Sequence, residues 1–287
     1  MNTSSTVPDF LSIGHVTHDL VEDGIQLGGA ALYSALTAYH LGKNTSLFTS
    51  YGEDFVGKAT LQVLSTKVIP ARQTSAFRNL YEADRRVQHV DRIGGHLDQR
   101  VLPEAWSKAG IVYLCPVLHE ISTDIGNRFS EALIGVSPQG WMREWDKVGR
   151  IRPRRWEGFE GLLRCARVVI VSAQDIEGNM DLVQDLRRMT PIVIVTRAKE
   201  GAVIYAPGQT LTLGTYAAEE RDPTGAGDCF GAAFLIRYAE TGNVEEAGRF
   251  ASCVGSFVVE GAGIEGIPTR EDVEARMEGQ VVPCKRE

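Results

Sequence analysis

The chain reads as an α/β protein built on a mainly parallel sheet, and three features of its sequence predict this. Short apolar runs recur from residue 111 onward, at 111–114, 132–136, 168–172 and 192–196. Helix-length segments separate most of them, which is the rhythm of parallel strands joined by right-handed crossovers. Near the start, an alternating run at 10–16 leads to Gly28-Gly29 and then to an Ala/Leu-rich helical stretch that stops at Gly42. Late in the chain, the polar, glycine-rich stretch 222–228 passes directly into an apolar helical pattern through Leu235, Ile236 and Tyr238.

Length and composition bound the function. The 287 residues, 43% hydrophobic and 23% charged, suit a soluble globular protein able to bury a substantial core; the whole chain, 1–287, reads as one domain. A formal charge of −7 and the lack of any Lys/Arg-rich block argue against nucleic-acid partners. No apolar run approaches the ~18–20 residues that cross a bilayer, so no membrane partner is expected. Residues 1–8 are polar and carry no signal-peptide core. The five cysteines are widely spaced and never form C-x-x-C. They read as reduced thiols, which fits a cytoplasmic location.

Taken in order, 10–16 is the first strand, with Asp19 just beyond it, near the carboxyl end where open α/β sheets bind ligands. A turn role is equally open to this residue. After the first helix, 45–50 reads as a strand. Gly52-Glu53-Asp54-Phe55-Val56-Gly57-Lys58-Ala59 has the spacing of a phosphate loop, but Ala59 lacks the required hydroxyl, and two acids would sit inside the cradle. It reads instead as a turn followed by a helix. The alternating runs 75–81 and 86–93 form a hairpin. Phe77, Asn79 and Tyr81 share one face, while Arg86, Gln88 and Val90 share a face of the partner strand. The loop 137–143 follows a strand end, with no role assigned from sequence. A short antiparallel pair is expected at 201–205 and 209–213, a helix at 245–260 and a closing helix at 269–277.

The chemistry concentrates at Asp222-Pro223-Thr224-Gly225-Ala226-Gly227-Asp228. Small residues at a helix start leave amides free to face an anion, at the positive end of the helix dipole. A carboxylate beside such a hole repels a resting phosphate. It makes sense there as the base that deprotonates an attacking hydroxyl. The bland alternative is a helix start with Asp228 as a dipole partner.

The full string D-P-T-G-A-G-D-x-F-x-x-A-F at 222–234 resembles the C-terminal signature of the ribokinase (PfkB-type) carbohydrate kinase family. The similarity extends over nearly the whole chain, from Phe10 to Met277. It implies a ribokinase-like three-layer α/β/α fold with a small β lid formed by segments 18–28 and 74–98. It also implies ATP-dependent phosphorylation of a hydroxyl on a small sugar or cyclic polyol. Asp228 would be the general base, and the amides of Gly225, Ala226 and Gly227 would hold the developing charge. Asp19, Gly28, Gly29, Asn79, Arg86 and Gln88 would meet the substrate. Ser172, Thr196, Gly201, Thr224, Gly225, Gly227 and Ser252 would meet the nucleotide. Asp175 would organise Mg²⁺ through water, and a monovalent cation is a further possible ligand. The expected partners are the small-molecule acceptor and ATP, and the chain is a monomer or homodimer.

The sequence departs from the family pattern at several places. Tyr33 stands where ribokinase-like members carry Asn, which weighs against ribose itself; ordinary core is the other reading of this residue. Ser172 and Asp175 shorten the family's N-x-x-E motif, and Asp175 is alternatively a helix cap. Ala198 replaces the first glycine of T-x-G-x-x-G at 196–201. A nucleoside kinase of the same fold, or a catalytically silent relative that binds nucleotide or sugar, are the alternatives. A dinucleotide-binding oxidoreductase is excluded by the wrong glycine spacing at the wrong end of the chain.

Overall fold

The computed structural model describes residues 6–82 and 85–286, with only the backbone of residues 81, 82, 85 and 86. The chain opens with strands β1 (Phe10–Ile13), β2 (Thr17–Val21) and β3 (Gly24–Gly28), followed by helix α1 (Ala30–His40). Strands β4 (Thr45–Tyr51), β5 (Ser65–Pro70), β6 (Ser75–Glu82), β7 (Arg85–Arg92), β8 (Ile111–Leu114) and β9 (Leu133–Val136) come next. A short hairpin, β10 (Arg143–Trp145) and β11 (Ile151–Pro153), precedes α2 (Glu160–Cys165), β12 (Val168–Ser172), α3 (Met180–Met189) and β13 (Ile192–Thr196). The chain then runs through β14 (Ala202–Ala206), β15 (Gln209–Leu213), α4 (Ala226–Thr241), α5 (Val244–Val258), α6 (Arg270–Gly279) and β16 (Cys284–Arg286).

Ten strands form the main sheet in the order β16-β15-β14-β13-β12-β9-β8-β1-β4-β5. It is parallel from β13 to β5, while β14, β15 and β16 run antiparallel at one end. Period-two alternation sends side chains of one strand to opposite cores. Ile170 and Ile194 join Phe234 and Phe250 of α4 and α5, whereas Val169, Val171 and Val193 join Val183 and Leu186 of α3. Burying each such side chain contributes about 1.5–3 kcal/mol, which holds helices on both faces and makes three layers. A second sheet, β3-β2-β6-β7, is separate from the first.

Chain order reverses beside β1, which lies between β4 and β8. Carboxyl ends of strands diverge at such a point and leave a crevice.

Several expectations are corrected. β1 ends at Ile13, so Asp19 lies inside β2 of the small sheet rather than in a loop after the first strand. The run after Gly52 makes turns and a short 3-10 helix, Thr60–Val63, with no α-helix. The connection from β8 to β9 is likewise 3-10, Thr123–Arg128. Its sequence, Thr-Asp-Ile-Gly-Asn-Arg, places a helix-breaking glycine and three cap-forming residues in six. Helix α3 is capped by Asn179, whose side chain accepts from the Leu182 amide, so Asp175 is not its cap. The closing helix is as expected, begun by a reciprocal capping box between Thr269 and Asp272.

Candidate active site

A cavity of about 370 Å³ opens at the carboxyl ends of the parallel strands. Its walls come from distant parts of the chain. Thr17, Asp19, Phe77 and Gln88 come from the small sheet, and Gly29, Ala30 and Tyr33 from the start of α1. Ser137, Gln139, Met142 and Arg143 follow β9, while Ser172, Asp175 and Thr196 stand at the ends of β12 and β13. Thr224, Gly225, Gly227 and Asp228 close the floor at the start of α4.

The floor is shaped by close approach. Gly225 has φ 78°, and a Cβ there would lie 2.3 Å from Tyr33 Cδ1, so the Tyr33 ring fixes where the loop can run. The Ala226 amide is spent on the Pro223 carbonyl at 3.3 Å, and Ala226 does not line the cavity. The amide trio expected from sequence therefore reduces to Gly225 and Gly227. Asp222 ties the loop down: its carboxylate accepts from the Thr224 amide (3.0 Å), the Gly263 amide (3.1 Å) and Gln26 Nε2 of β3 (3.0 Å). Burial alone raises the Asp222 carboxyl, but these hydrogen bonds outweigh it and hold it below the usual range.

Asp228 behaves oppositely. It lies deep in the cleft, half-buried, and its carboxyl is pushed up to about 7. Burial is the main cause, followed by the negative charge of Asp175; Arg143 opposes the rise and Asp19 adds to it. A carboxylate poised near neutrality beside backbone amides can accept a proton from a hydroxyl and return it to solvent.

Asp175 accepts from the Ser172 hydroxyl at 2.7 Å and from Gln139 Nε2 at 3.2 and 3.3 Å. Its own amide donates to Ser172 Oγ at 2.9 Å. The two shortened side chains thus act as one unit that presents a single carboxylate to the cleft. Among the described residues no group of three or more His, Cys, Asp or Glu could hold a metal ion. One hard oxygen does fit Mg²⁺ that arrives with phosphates and keeps most of its waters.

The other sequence-predicted residues divide. Asp19, Gly29 and Gln88 line the cavity. Gly28 does not, but a Cβ there would lie 2.7 Å from Asp19 Oδ2, so its role in the fold is to leave room for that carboxylate. Asn79 stands opposite Gln88 across the hairpin and accepts from its amide at 3.3 Å, outside the cavity wall. The side chain of Arg86 lies outside the described residues. Ser172, Thr196 and Thr224 line the cavity, whereas Gly201 and Ser252 do not. Gly201 turns the chain into β14, where a Cβ would lie 1.9 Å from the Leu213 carbonyl oxygen. Ser252 is buried on α5. Ala198, at φ 47°, keeps the left-handed conformation for which glycine is the usual residue.

Tyr33 is both core and cavity wall. It is 1% exposed, its hydroxyl has no hydrogen-bond partner among the described residues, and burial raises its pKa far above the usual phenol range. Arg143 and Gln139 were missed as site residues. The signal available was their position just after a strand end, in the loop 137–143.

A half-buried carboxylate, two glycines at a helix start and a polar wall share one crevice of a ribokinase-like fold, an arrangement that suits a phosphotransferase acting on an alcohol group. The model of the pfkB family of carbohydrate kinases matches residues 151–270. The chain is 30% identical to an ATP-dependent ribose-1-phosphate kinase of Halopiger xanaduensis over 267 residues, 86% of this chain and 85% of that one. It is 26% identical to a nucleoside kinase of Methanothermobacter thermautotrophicus over 273 residues, 88% of this chain and 85% of that one. A pyrophosphate-dependent kinase of the ribokinase family, solved with a pyrophosphate analogue and myo-inositol, superposes with a TM-score of 0.78 at 23% identity, covering 93% and 99% of the two chains. The chain belongs to the pfkB family of carbohydrate kinases. No helix among the described residues is long and apolar enough to cross a membrane.

Proposed function

We propose that this enzyme transfers the γ-phosphoryl group of ATP to a hydroxyl of a small sugar or cyclic polyol, with Asp228 as general base. The observation that carries this reading is the Asp228 carboxyl, pushed up to about 7 at the start of α4 beside Gly225 and Gly227. Asp19 and Gln88 hold acceptor hydroxyls. Asp228 takes the proton of the attacking hydroxyl, and the amides of Gly225 and Gly227 face the charge that grows on the transferring group. Thr224, Thr196 and the Ser172–Asp175 pair bind on the donor side. Asp175 would hold Mg²⁺ through water, and the ion would offset phosphate charge. The chain forms one domain, in which the sheet β3-β2-β6-β7 closes as a lid over the acceptor and excludes water.

A nucleoside acceptor is the second reading. Phe77 and Tyr33 give the cavity two aromatic walls, and one of the relatives is a nucleoside kinase. A coupled ADP-release screen with MgATP over monosaccharides, inositols, ribose-1-phosphate and nucleosides tests both readings. Turnover confined to nucleosides replaces the first reading by the second, and no turnover with any acceptor removes both.

A further inference from the structure

We propose that Glu120 is a positioning residue for the acceptor, whose buried carboxylate takes over where the sheet ladder ends and sets the wall against which the acceptor rests. The proposal rests on the reading of the acceptor side given above.

The need arises from the topology. β1 and β8 pair in parallel up to Ile13 opposite Leu114, and the last rung is the Cys115 amide donating to the Ile13 carbonyl at 2.8 Å. Beyond it the two chains part around the crevice, so the next amides lose the partners that a ladder would supply. Glu120, 4% exposed, meets them. Its Oε1 accepts from the His15 amide at 3.1 Å and the Val117 amide at 2.9 Å, and its Oε2 accepts from the Leu118 amide at 2.8 Å. A buried carboxylate is costly unless such donors surround it. Here three charge-assisted bonds tie two segments that are distant in sequence to one point.

Both segments lead into the cavity. Val117 lines it directly. The His15 peptide lies against the start of α1, where a Cβ on Gly29 would stand 2.3 Å from the His15 carbonyl oxygen. Gly29 and Ala30 line the cavity, as does Thr17, two residues after His15. A shift of the His15 peptide therefore moves the surface that the acceptor meets.

His15 passes the same constraint to the small sheet. Its ring is fully buried. A carbonyl only accepts, so Nε2 donates to the Gly95 carbonyl at 2.6 Å, which leaves Nδ1 for the Ser75 hydroxyl at 2.8 Å. Ser75 Oγ also accepts from the Gly94 amide at 2.8 Å. Ser75 begins β6, and Gly94 and Gly95 follow β7. The strands bearing Phe77 and Gln88 are thus rooted on the residue that Glu120 holds. The Glu120 carbonyl adds a further tie, accepting from the Leu97 amide at 2.8 Å.

The test uses Glu120→Gln, Glu120→Asp and Ser75→Ala in the full chain, with folding checked by circular dichroism and hydrogen exchange followed at 75–82. Gln keeps the size of Glu but turns an NH₂ group toward amides that must donate, so one contact becomes donor against donor. Glu120→Gln should raise the acceptor KM about ten- to a hundred-fold, leave the ATP KM within about twofold, and speed exchange at 75–82. Glu120→Asp keeps the charge and loses reach, so it should fall between the Gln variant and wild type. Ser75→Ala should speed the exchange with a smaller rise in acceptor KM. Unchanged KM values with a lower kcat in Glu120→Gln mean only a smaller folded fraction, which makes Glu120 structural and overturns the proposal. Unchanged acceptor KM beside an Asp19→Ala that raises it overturns the proposal alone, whereas unchanged acceptor KM in both variants removes the acceptor reading with it. If Glu120→Gln fails to fold, Glu120→Asp and Ser75→Ala decide: wild-type acceptor KM and exchange in both is also a refutation.

Discussion

Replacing Asp228 by Asn tests the site most directly, because activity and stability should move in opposite directions. The substitution keeps size and removes the base, so kcat should fall at least about a hundred-fold. MgATP binding should hold or improve, since a negative charge facing phosphates is lost. The stability change follows from the Asp228 carboxyl, which stands at about 7 in the fold against an ordinary 3.8. A raised carboxyl means that the folded state holds a proton the unfolded chain releases. Its stabilising contribution is complete below about pH 4 and is lost as the pH rises through 7. At about 1.4 kcal/mol per unit the full loss would be about 4.5 kcal/mol. Asp228 is half-buried and faces an open cleft, so solvent reduces this to about 1–3 kcal/mol. Asp228→Asn should therefore be more stable than wild type by that amount at pH 8–9 and indistinguishable from it near pH 4. Urea unfolding at both pH values measures the difference, and wild-type kcat/KM should show an acidic limb near pH 7. A variant that keeps most of its kcat, or that gains no stability at high pH, refutes the reasoning.

Asp19→Ala should raise the acceptor KM roughly ten- to a hundred-fold and leave that for ATP nearly unchanged; equal damage to both would make Asp19 structural. Asp175→Ala should flatten the Mg²⁺ dependence and lower kcat in a folded protein, read from Mg²⁺ titrations of rate. Normal Mg²⁺ dependence would return the Ser172–Asp175 pair to a local turn. Tyr33→Phe removes a buried hydroxyl without a hydrogen-bond partner among the described residues, so stability should hold or rise by about 1 kcal/mol in urea unfolding. A clear loss would reveal an unseen partner. Hydrogen exchange at 75–82 and 85–92 should slow when the acceptor binds, and unchanged exchange at saturation would remove the lid from the mechanism.

What the sequence disclosed was set by locality. The parallel strands announced themselves as β-branched runs because both of their faces are buried, and the start of α4 did so because glycines, a carboxylate and an apolar helix are contiguous at 225–236. The hairpin was legible too, as two alternating runs; the structure adds its register, with Phe77 opposite Val90 and Asn79 opposite Gln88. What escaped depends on contacts between distant segments. Three-residue strands such as β10 and β11 leave no periodic trace, so Arg143 looked like any loop arginine. The commitment of the Ala226 amide to Pro223, and the Tyr33 ring against Gly225, are tertiary facts without a local signature.

The crevice joins two stretches of chain that lie far apart in sequence. The family model finds its match at 151–270, the stretch holding Asp175, Thr196 and the whole 222–228 loop. Asp19, Phe77 and Gln88 lie upstream, on strands that hydrogen-bond among themselves and not to the ten-stranded sheet. On the proposed reading the upstream strands choose the acceptor and the downstream stretch supplies the chemistry. Segments 17–28 and 75–92 then form an exchangeable cassette: transplanted together from a relative with another acceptor, they should carry over that preference while the phosphoryl-transfer machinery of this chain stays intact.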